Sequence, residues 1–142
     1  MPLPSPAERA RQECDRRGPE AFVHGCVELL DGAAVDAGLL AALGGAHAAA
    51  VLEGRDGGPT GYWPRVWAAR GLLHVWDDVA TPAVVRATGD DSWRVREMAA
   101  KVVARHRVGA GLEAAARMAV DPVPRVRRAA ARAIERLVTD LA

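Results

Sequence analysis

The sequence predicts an all-α fold built from stacked helical hairpins. Of its 142 residues, 50% are hydrophobic but only 4% are aromatic, and 30 are alanine. Alanine at this density favours closely packed helices, whereas an all-β sandwich needs strands rich in β-branched and aromatic residues. The chain also aligns with itself after a shift of 31 residues, a period typical of repeat proteins. Together these features indicate two helices per repeat within one domain of 142 residues.

The self-alignment is clearest near the C-terminus, where residues 80–106 pair with residues 111–137. Nine of the pairs are identical, among them Asp90 with Asp121. Composition alone gives roughly three identical pairs over this length. A further shift by the same period extends the repeat backward over residues 46–76. The sequence therefore predicts three successive repeats.

The N-terminal third is less regular but still helical. Ser5 and Glu8 have the spacing of a capping box, which predicts a helix to about Arg17 and a capping helix or arm over residues 1–18. Helical patterns over Pro19–Leu30 and Val35–Leu43 then predict a diverged first hairpin within residues 19–45. We interpret the helix within residues 1–18 as a cap, because a solenoid needs one to cover its apolar end.

The three repeats contain recurrent start signals for their helices. Thr81 precedes a proline and can cap the first helix of its repeat, which predicts a helix start there. Asp90, Asp91 and Ser92 precede the second helix of that repeat as cap candidates, and we interpret the two acids as capping residues rather than as catalytic carboxylates. In the last repeat, we expect the first helix to run from about residue 112 to residue 120. We also expect Ala99 and Ala130, which lie on second helices, to be buried between helices.

The repeats share a sequence pattern: an aspartate, a few intervening residues, Arg-Val-Arg and then Ala-Ala. This pattern resembles the short HEAT-like repeats, the kind also found in bilin-lyase-type proteins. The resemblance covers residues 80–137 well and residues 46–76 loosely, because the loop GRDGGPTGY replaces the short loop there. It implies a right-handed α-solenoid of about four stacked hairpins, with the second helices lining a concave groove. The motif specifies architecture far more strongly than activity.

The charge is unevenly distributed along the chain. The formal net charge is +1, yet residues 1–59 carry −4 and residues 60–142 carry +5. The 31-residue period stacks nine positions of the second helices into three columns that share one face, within roughly 40° around the helix axis. These positions are Trp63, Arg94 and Arg125; Arg70, Lys101 and Arg132; and His74, Arg105 and Arg136.

The resemblance places these columns in the groove, where they would form a cationic binding surface. The alternative is an ordinary solvated face, which Glu97 and Glu135 would partly neutralise. A fourth column lies nearer the core, and we expect its members to pair with Asp90 and Asp121: Arg65, Arg96 and Arg127. No acid clearly faces the groove, which argues against a HEAT-like DNA glycosylase.

The tryptophans are expected to differ in burial. Trp76 shares the apolar face of its helix and is expected in the core, while Trp67 is expected to be partly buried at its edge. Trp63 aligns with two arginines and is expected to be at least partly exposed. It is either a binding hot spot or packed beneath the glycine-rich loop.

Enzymatic and metal sites find little support in the sequence. Cys14, His24 and Cys26 do not have the paired spacing of a zinc site, and no nucleophile elbow or phosphate-binding glycine loop is present. We therefore predict no cofactor, no metal and no enzymatic activity. His47 supports no functional role.

The sequence favours a non-catalytic scaffold whose cationic groove holds an acidic protein segment. The alternative is binding of nucleic-acid phosphates by the same groove, and a weaker one is a lyase-like helper that uses His74 as acid–base. The sequence contains no apolar run long enough for a transmembrane helix, no apolar signal-peptide core and only two cysteines. These features favour a cytoplasmic protein without a membrane partner.

Overall fold

The computed structural model describes residues 2–33 and 35–139. Met1, Ala34 and residues 140–142, which belong to the predicted segments, lie outside these ranges. Within them the chain forms nine α-helices and three short 3₁₀ turns, and no β-strand, so the predicted all-α class is confirmed. The chain divides into two compact units, unit 1 (Met1–Ala80) and unit 2 (Thr81–Ala142).

Unit 1 contains five helices: α1 (Pro6–Arg17), α2 (Pro19–Leu30), α3 (Ala37–Gly44), α4 (Ala48–Leu52) and α5 (Tyr62–His74). Helix α5 packs against α1, α2 and α3. Its central residues are buried against apolar side chains of α2 and α3, with Phe22, Leu39, Leu40 and Leu72 fully buried.

Local capping sets where the first helices begin. The Ser5 hydroxyl oxygen accepts from the Glu8 N–H at 3.1 Å, and the Glu8 carboxylate accepts from the Ser5 N–H at 3.1 Å, so the predicted capping box is confirmed. Helix α3 begins at Ala37, two residues later than predicted. The reason is Asp36, whose carboxylate caps the helix by accepting from the Leu39 N–H at 2.9 Å.

Helix α5 ends at His74, two residues before the end that the repeat register predicts. Val75 is extended, with φ −131° and ψ 117°, so the chain leaves the helix before Trp76. The predicted core position of Trp76 is therefore wrong. Its side chain is half-buried, and the indole Nε1 donates to Asp78 Oδ1 at 3.0 Å.

Trp67 is more buried than the sequence predicts, because the residue is only 2% exposed. A Cβ atom on Gly44 would lie 2.6 Å from Trp67 Cζ3, so only glycine lets the indole ring approach the end of α3 this closely. The expected partial burial of Trp67 is wrong because this distant glycine opens a site for the ring.

Unit 2 contains four helices: α6 (Thr81–Ala87), α7 (Trp93–His106), α8 (Leu112–Met118) and α9 (Pro124–Thr139). Helices α6 and α7 lie within residues 80–106 and α8 lies within residues 111–137, whereas α9 extends two residues beyond the predicted end of its repeat. Helix α9 packs against α7 and α8, and α6 packs against α7. Ala99 and Ala130 are both 0% exposed, as the repeat register predicts.

Candidate functional site

In unit 2, an arginine from each second helix holds the loop that precedes that helix. Arg96 Nη1 donates to the Asp90 carbonyl at 2.8 Å, and Arg127 Nη1 donates to the Asp121 carbonyl at 2.7 Å. The two arginines occupy equivalent places in the repeated Arg-Val-Arg triplet. The third residue of the triplet thus has a structural purpose in both repeats.

Asp121 connects the two repeats of unit 2. Its carboxylate accepts from Arg96 Nε at 2.8 Å and Nη2 at 3.2 Å, which confirms the predicted pairing of these residues. Asp121 Oδ1 also accepts from the Val123 N–H at 2.9 Å. Burial alone would raise the pKa of Asp121, but these hydrogen bonds and the charges of Arg96 and Arg127 hold it below its ordinary value.

Of the three cap candidates before α7, Ser92 occupies the N-cap position and Asp90 does not. Ser92 is the N-cap of α7 and makes no side-chain capping bond, while Asp90 Oδ1 accepts from the Ser92 N–H at 2.9 Å. Asp90 therefore stabilises the turn before the helix rather than the helix terminus. In unit 1, Arg65 Nη1 donates to the Gly61 carbonyl at 3.0 Å.

Six of the nine predicted binding residues lie on α7 and α9. In each helix they occupy positions i, i+7 and i+11, which share one face. Arg94 is half-buried and the other five are exposed. We call these residues the α7–α9 cationic face: Arg94, Lys101, Arg105, Arg125, Arg132 and Arg136.

A carboxylate lies beside these cations, as the alternative of a solvated face predicts. Glu97 is only 8% exposed, and its Oε2 accepts from Arg125 Nε at 2.9 Å and lies 3.9 Å from Lys101 Nζ. The contact between Arg125 and Glu97 also shows that the N-terminal ends of α7 and α9 lie side by side. Glu97 therefore partly neutralises two of the six cations.

The other end of the face keeps its positive charge. Three arginines there are exposed and make no hydrogen bond or ion pair with the described part of the chain: Arg105, Arg132 and Arg136. This part of the surface can therefore attract an anion.

Trp93 is a residue of this surface for which the sequence analysis found no role. Arg94 Cζ lies 4.5 Å and Arg125 Cζ 5.2 Å from the centre of its ring, so two cations flank the indole. The half-buried ring packs against an apolar cluster that includes Met118 and Val126. Its place directly before the Arg-Val-Arg triplet is the sequence signal that could have identified it.

Arg70 of unit 1 does not have the exposed position that its column predicts. It is half-buried, and its Nη2 donates to the Leu43 carbonyl at 3.0 Å. Arg9 Nη2 donates to the same carbonyl at 3.3 Å. Burial lowers the pKa of Arg70, and the charge of Arg9 lowers it further. The reason for the inward position is the unsatisfied carbonyl at the C-terminal end of α3.

Trp63 lies in an aromatic cluster of unit 1. The half-buried indole lies 5.1 Å from the His47 ring and 6.3 Å from the Trp67 ring, measured between centroids. His47 also contacts the glycine-rich loop, because its Nε2 lies 2.8 Å from Asp56 Oδ2. Trp63 thus packs beside that loop. His74, also half-buried, is the last residue of α5.

The side chains considered as metal ligands are engaged or buried separately. Cys26 is buried, and burial raises the pKa of its thiol to about 12. Cys14 is half-buried, and His24 Nε2 lies 2.7 Å from Glu28 Oε1. Within residues 2–33 and 35–139, no three His, Cys, Asp or Glu side chains form a group that could hold a metal ion.

Comparison with known protein families identifies the last repeat. The family model described as HEAT repeat matches residues 112–141, the part of the chain that contains α8 and α9. The HEAT-like resemblance of the sequence is therefore confirmed there. No curated protein and no solved structure matches the chain. None of the helices in the described ranges is both long enough and apolar enough to cross a bilayer.

Proposed function

We propose that this HEAT-repeat chain is a non-catalytic binding module whose α7–α9 cationic face holds an acidic protein segment. HEAT repeats generally mediate protein interactions and are typically non-catalytic. The observation that carries the proposal is the group of three exposed arginines without a carboxylate partner in the described chain: Arg105, Arg132 and Arg136. We place the protein in the cytoplasm, where its two free cysteines would stay reduced.

Carboxylates suit this surface for geometric reasons. A guanidinium group offers a planar fork of donors that binds a carboxylate through two parallel hydrogen bonds. Arg132 and Arg136 lie about one helical turn apart on α9. Trp93 adds partly exposed aromatic surface at the other end of the face, a typical feature of binding hot spots. An acidic segment with one apolar anchor would match both ends.

Phosphates of a nucleic acid fit the same surface less well. A phosphate backbone carries uninterrupted negative charge, and it would pass the Glu97 carboxylate between Lys101 and Arg125. Glu97 would repel it, whereas a protein segment can place a neutral residue at that point. We therefore treat nucleic-acid binding as an outcome of the test rather than as a second proposal.

The test measures, by anisotropy, binding of a fluorescein-labelled acidic peptide in which one leucine lies between two runs of four glutamates. The variant Arg105→Glu with Arg132→Glu reverses one unpartnered charge on each helix. We expect binding to weaken at least tenfold, which is about 1.4 kcal/mol. The melting temperature should stay within a few degrees, because exposed charges rarely contribute more than about 1 kcal/mol. Lys101 is left unchanged, since a glutamate there would lie beside Glu97.

The matched control is Arg11→Glu with Arg117→Glu, which changes the net charge by the same amount. Both arginines are exposed, and neither donates a hydrogen bond to a described residue. We expect the control to lose much less affinity. An equal loss in both variants, or no loss in the first, would show that the cationic face is an ordinary solvated surface.

A labelled oligodeoxythymidine of eight nucleotides separates the two partner classes. We expect it to bind more weakly than the peptide at moderate salt. Tighter binding, with a logarithmic salt slope of about −0.7 per phosphate contacted, would replace the acidic protein segment with a single-stranded nucleic acid.

A further inference from the structure

Unit 1 contains a pocket that the proposed function does not use. It lies between α2 and the segment that follows α5, and its volume is about 660 Å³. Val23 and Val27 of α2 line one side, and Val75 and Trp76 line the other. Pockets of roughly 300–1,000 Å³ with mainly apolar walls are the usual sites of small-molecule binding.

The pocket exists because α5 ends early. Val75 is extended, so the chain runs along α2 instead of continuing as a helix. The hydrogen bond from Trp76 Nε1 to Asp78 fixes the polar edge of the indole, and the ring forms part of the pocket wall. Val79, also a lining residue, is 69% exposed, so the wall reaches the surface of unit 1 as apolar area.

The charged side chains that line the pocket are mainly negative. The carboxylates of Glu20 and Asp77 line it, and no lysine or arginine of the described residues does. His24 lines it as well, with its Nε2 held 2.7 Å from Glu28 Oε1. An apolar cavity with two carboxylates complements a ligand that has an aliphatic body and a positive charge.

We propose that this pocket binds a small amphiphilic cation of the alkylammonium class. The aliphatic chain lies against the valines and Trp76, and the ammonium group lies near Glu20 and Asp77. An ammonium group can also interact with the face of an indole ring. The ligand therefore differs in charge from the partner proposed for unit 2.

The test uses butylammonium, hexylammonium and octylammonium chloride, with hexanol and hexanoate as neutral and anionic counterparts. Binding is followed through the Trp76 indole N–H resonance in ¹⁵N–¹H NMR spectra, which is assigned with Trp76→Phe. We expect affinity to rise about threefold per methylene group until the pocket is filled. Hexylammonium should bind more tightly than hexanol, and hexanoate should leave the resonance unchanged.

Variants then locate the charge effect. Glu20→Gln with Asp77→Asn should weaken hexylammonium binding about fivefold and leave hexanol binding unchanged. The control, Asp15→Asn with Glu53→Gln, removes two exposed carboxylates of unit 1 that do not line the pocket. Equal binding of hexanoate, no dependence on chain length, or an equal loss in the control would overturn the proposal. Because the acidic-peptide test addresses unit 2, either proposal can fail without the other.

Discussion

Arginine serves different purposes in the two units. In unit 1, Arg9 and Arg70 both donate to the Leu43 carbonyl, which α3 leaves unsatisfied at its C-terminal end. In unit 2, three arginines are exposed and make no ion pair with the described chain: Arg105, Arg132 and Arg136. The difference shows that equivalent positions in a repeat can carry the same residue for unrelated physical reasons.

The loops before the second helices differ in a similar way. In unit 2, Asp121 accepts from Arg96, and the loop is short. In unit 1, the glycine-rich loop holds Asp56 at φ 53° and places its carboxylate against His47. The Arg96–Asp121 pair thus connects the two repeats of unit 2, whereas a residue at positive φ and an aromatic cluster shape the long loop of unit 1.

The largest effect should come from removing the pair that connects the regular repeats. Asp121→Asn keeps the shape of the side chain but leaves the half-buried Arg96 without its carboxylate. We expect a loss of about 2–3 kcal/mol in the free energy of unfolding, measured by urea denaturation at pH 7. Asp91→Asn, an exposed change in the equivalent loop, should stay within about 0.5 kcal/mol.

The same pair predicts a pH dependence. The pKa of Asp121 is lower in the folded than in the unfolded chain, so its contribution is complete above the unfolded pKa of about 3.9. It is lost as pH falls through the folded pKa. The difference in stability between the protein and Asp121→Asn should therefore shrink below about pH 4. A constant difference down to pH 2 would contradict this account.

Alanine positions that are equivalent in the repeats test whether the helices pack in the same way in both units, with a smaller expected loss of stability. Ala68, Ala99 and Ala130 occupy one register position and are each 0% exposed. Replacing any of them with leucine should overpack the helix contacts and cost about 2 kcal/mol in a urea melt. Ala131→Leu, at an exposed site beside Ala130, is the control and should be nearly neutral. Neutral results at the buried positions would refute the register.

The smallest effect separates the two uses of arginine. Arg70→Gln removes the hydrogen bond to the Leu43 carbonyl, and we expect a loss of about 1 kcal/mol in thermal or urea unfolding. Arg132→Gln occupies the equivalent position in the last repeat and should change stability by less than about 0.5 kcal/mol. A larger loss at Arg132 than at Arg70 would reverse the comparison.

Features that depend on neighbours in sequence were predictable. The capping box of Ser5 and Glu8 lies within a single turn, and it gave the start of α1. The burial of Ala99 and Ala130 followed from a repeat that preserves the same contact twice. In both cases the determining residues are close in sequence or are repeated along it.

Features that depend on distant partners were not predictable. Arg70 turns inward because of a carbonyl 27 residues away, and Glu97 is buried by an arginine 28 residues away. Neither partner leaves a mark in the local pattern. The end of α5 was missed for a different reason, because no glycine or proline marks the change at Val75. The pocket that results from this change was therefore also beyond prediction.

The contact between Glu97 and Arg125 limits how this array could lengthen by duplication. The position equivalent to Glu97 in the last repeat is Arg128. If that repeat were copied after itself, the arginine equivalent to Arg125 in the new copy would lie against Arg128. Two positive charges would then meet at the position where Arg125 and Glu97 form an ion pair. The last two repeats are thus not interchangeable modules, and a longer descendant would need a compensating change at residue 128 before a new repeat could dock.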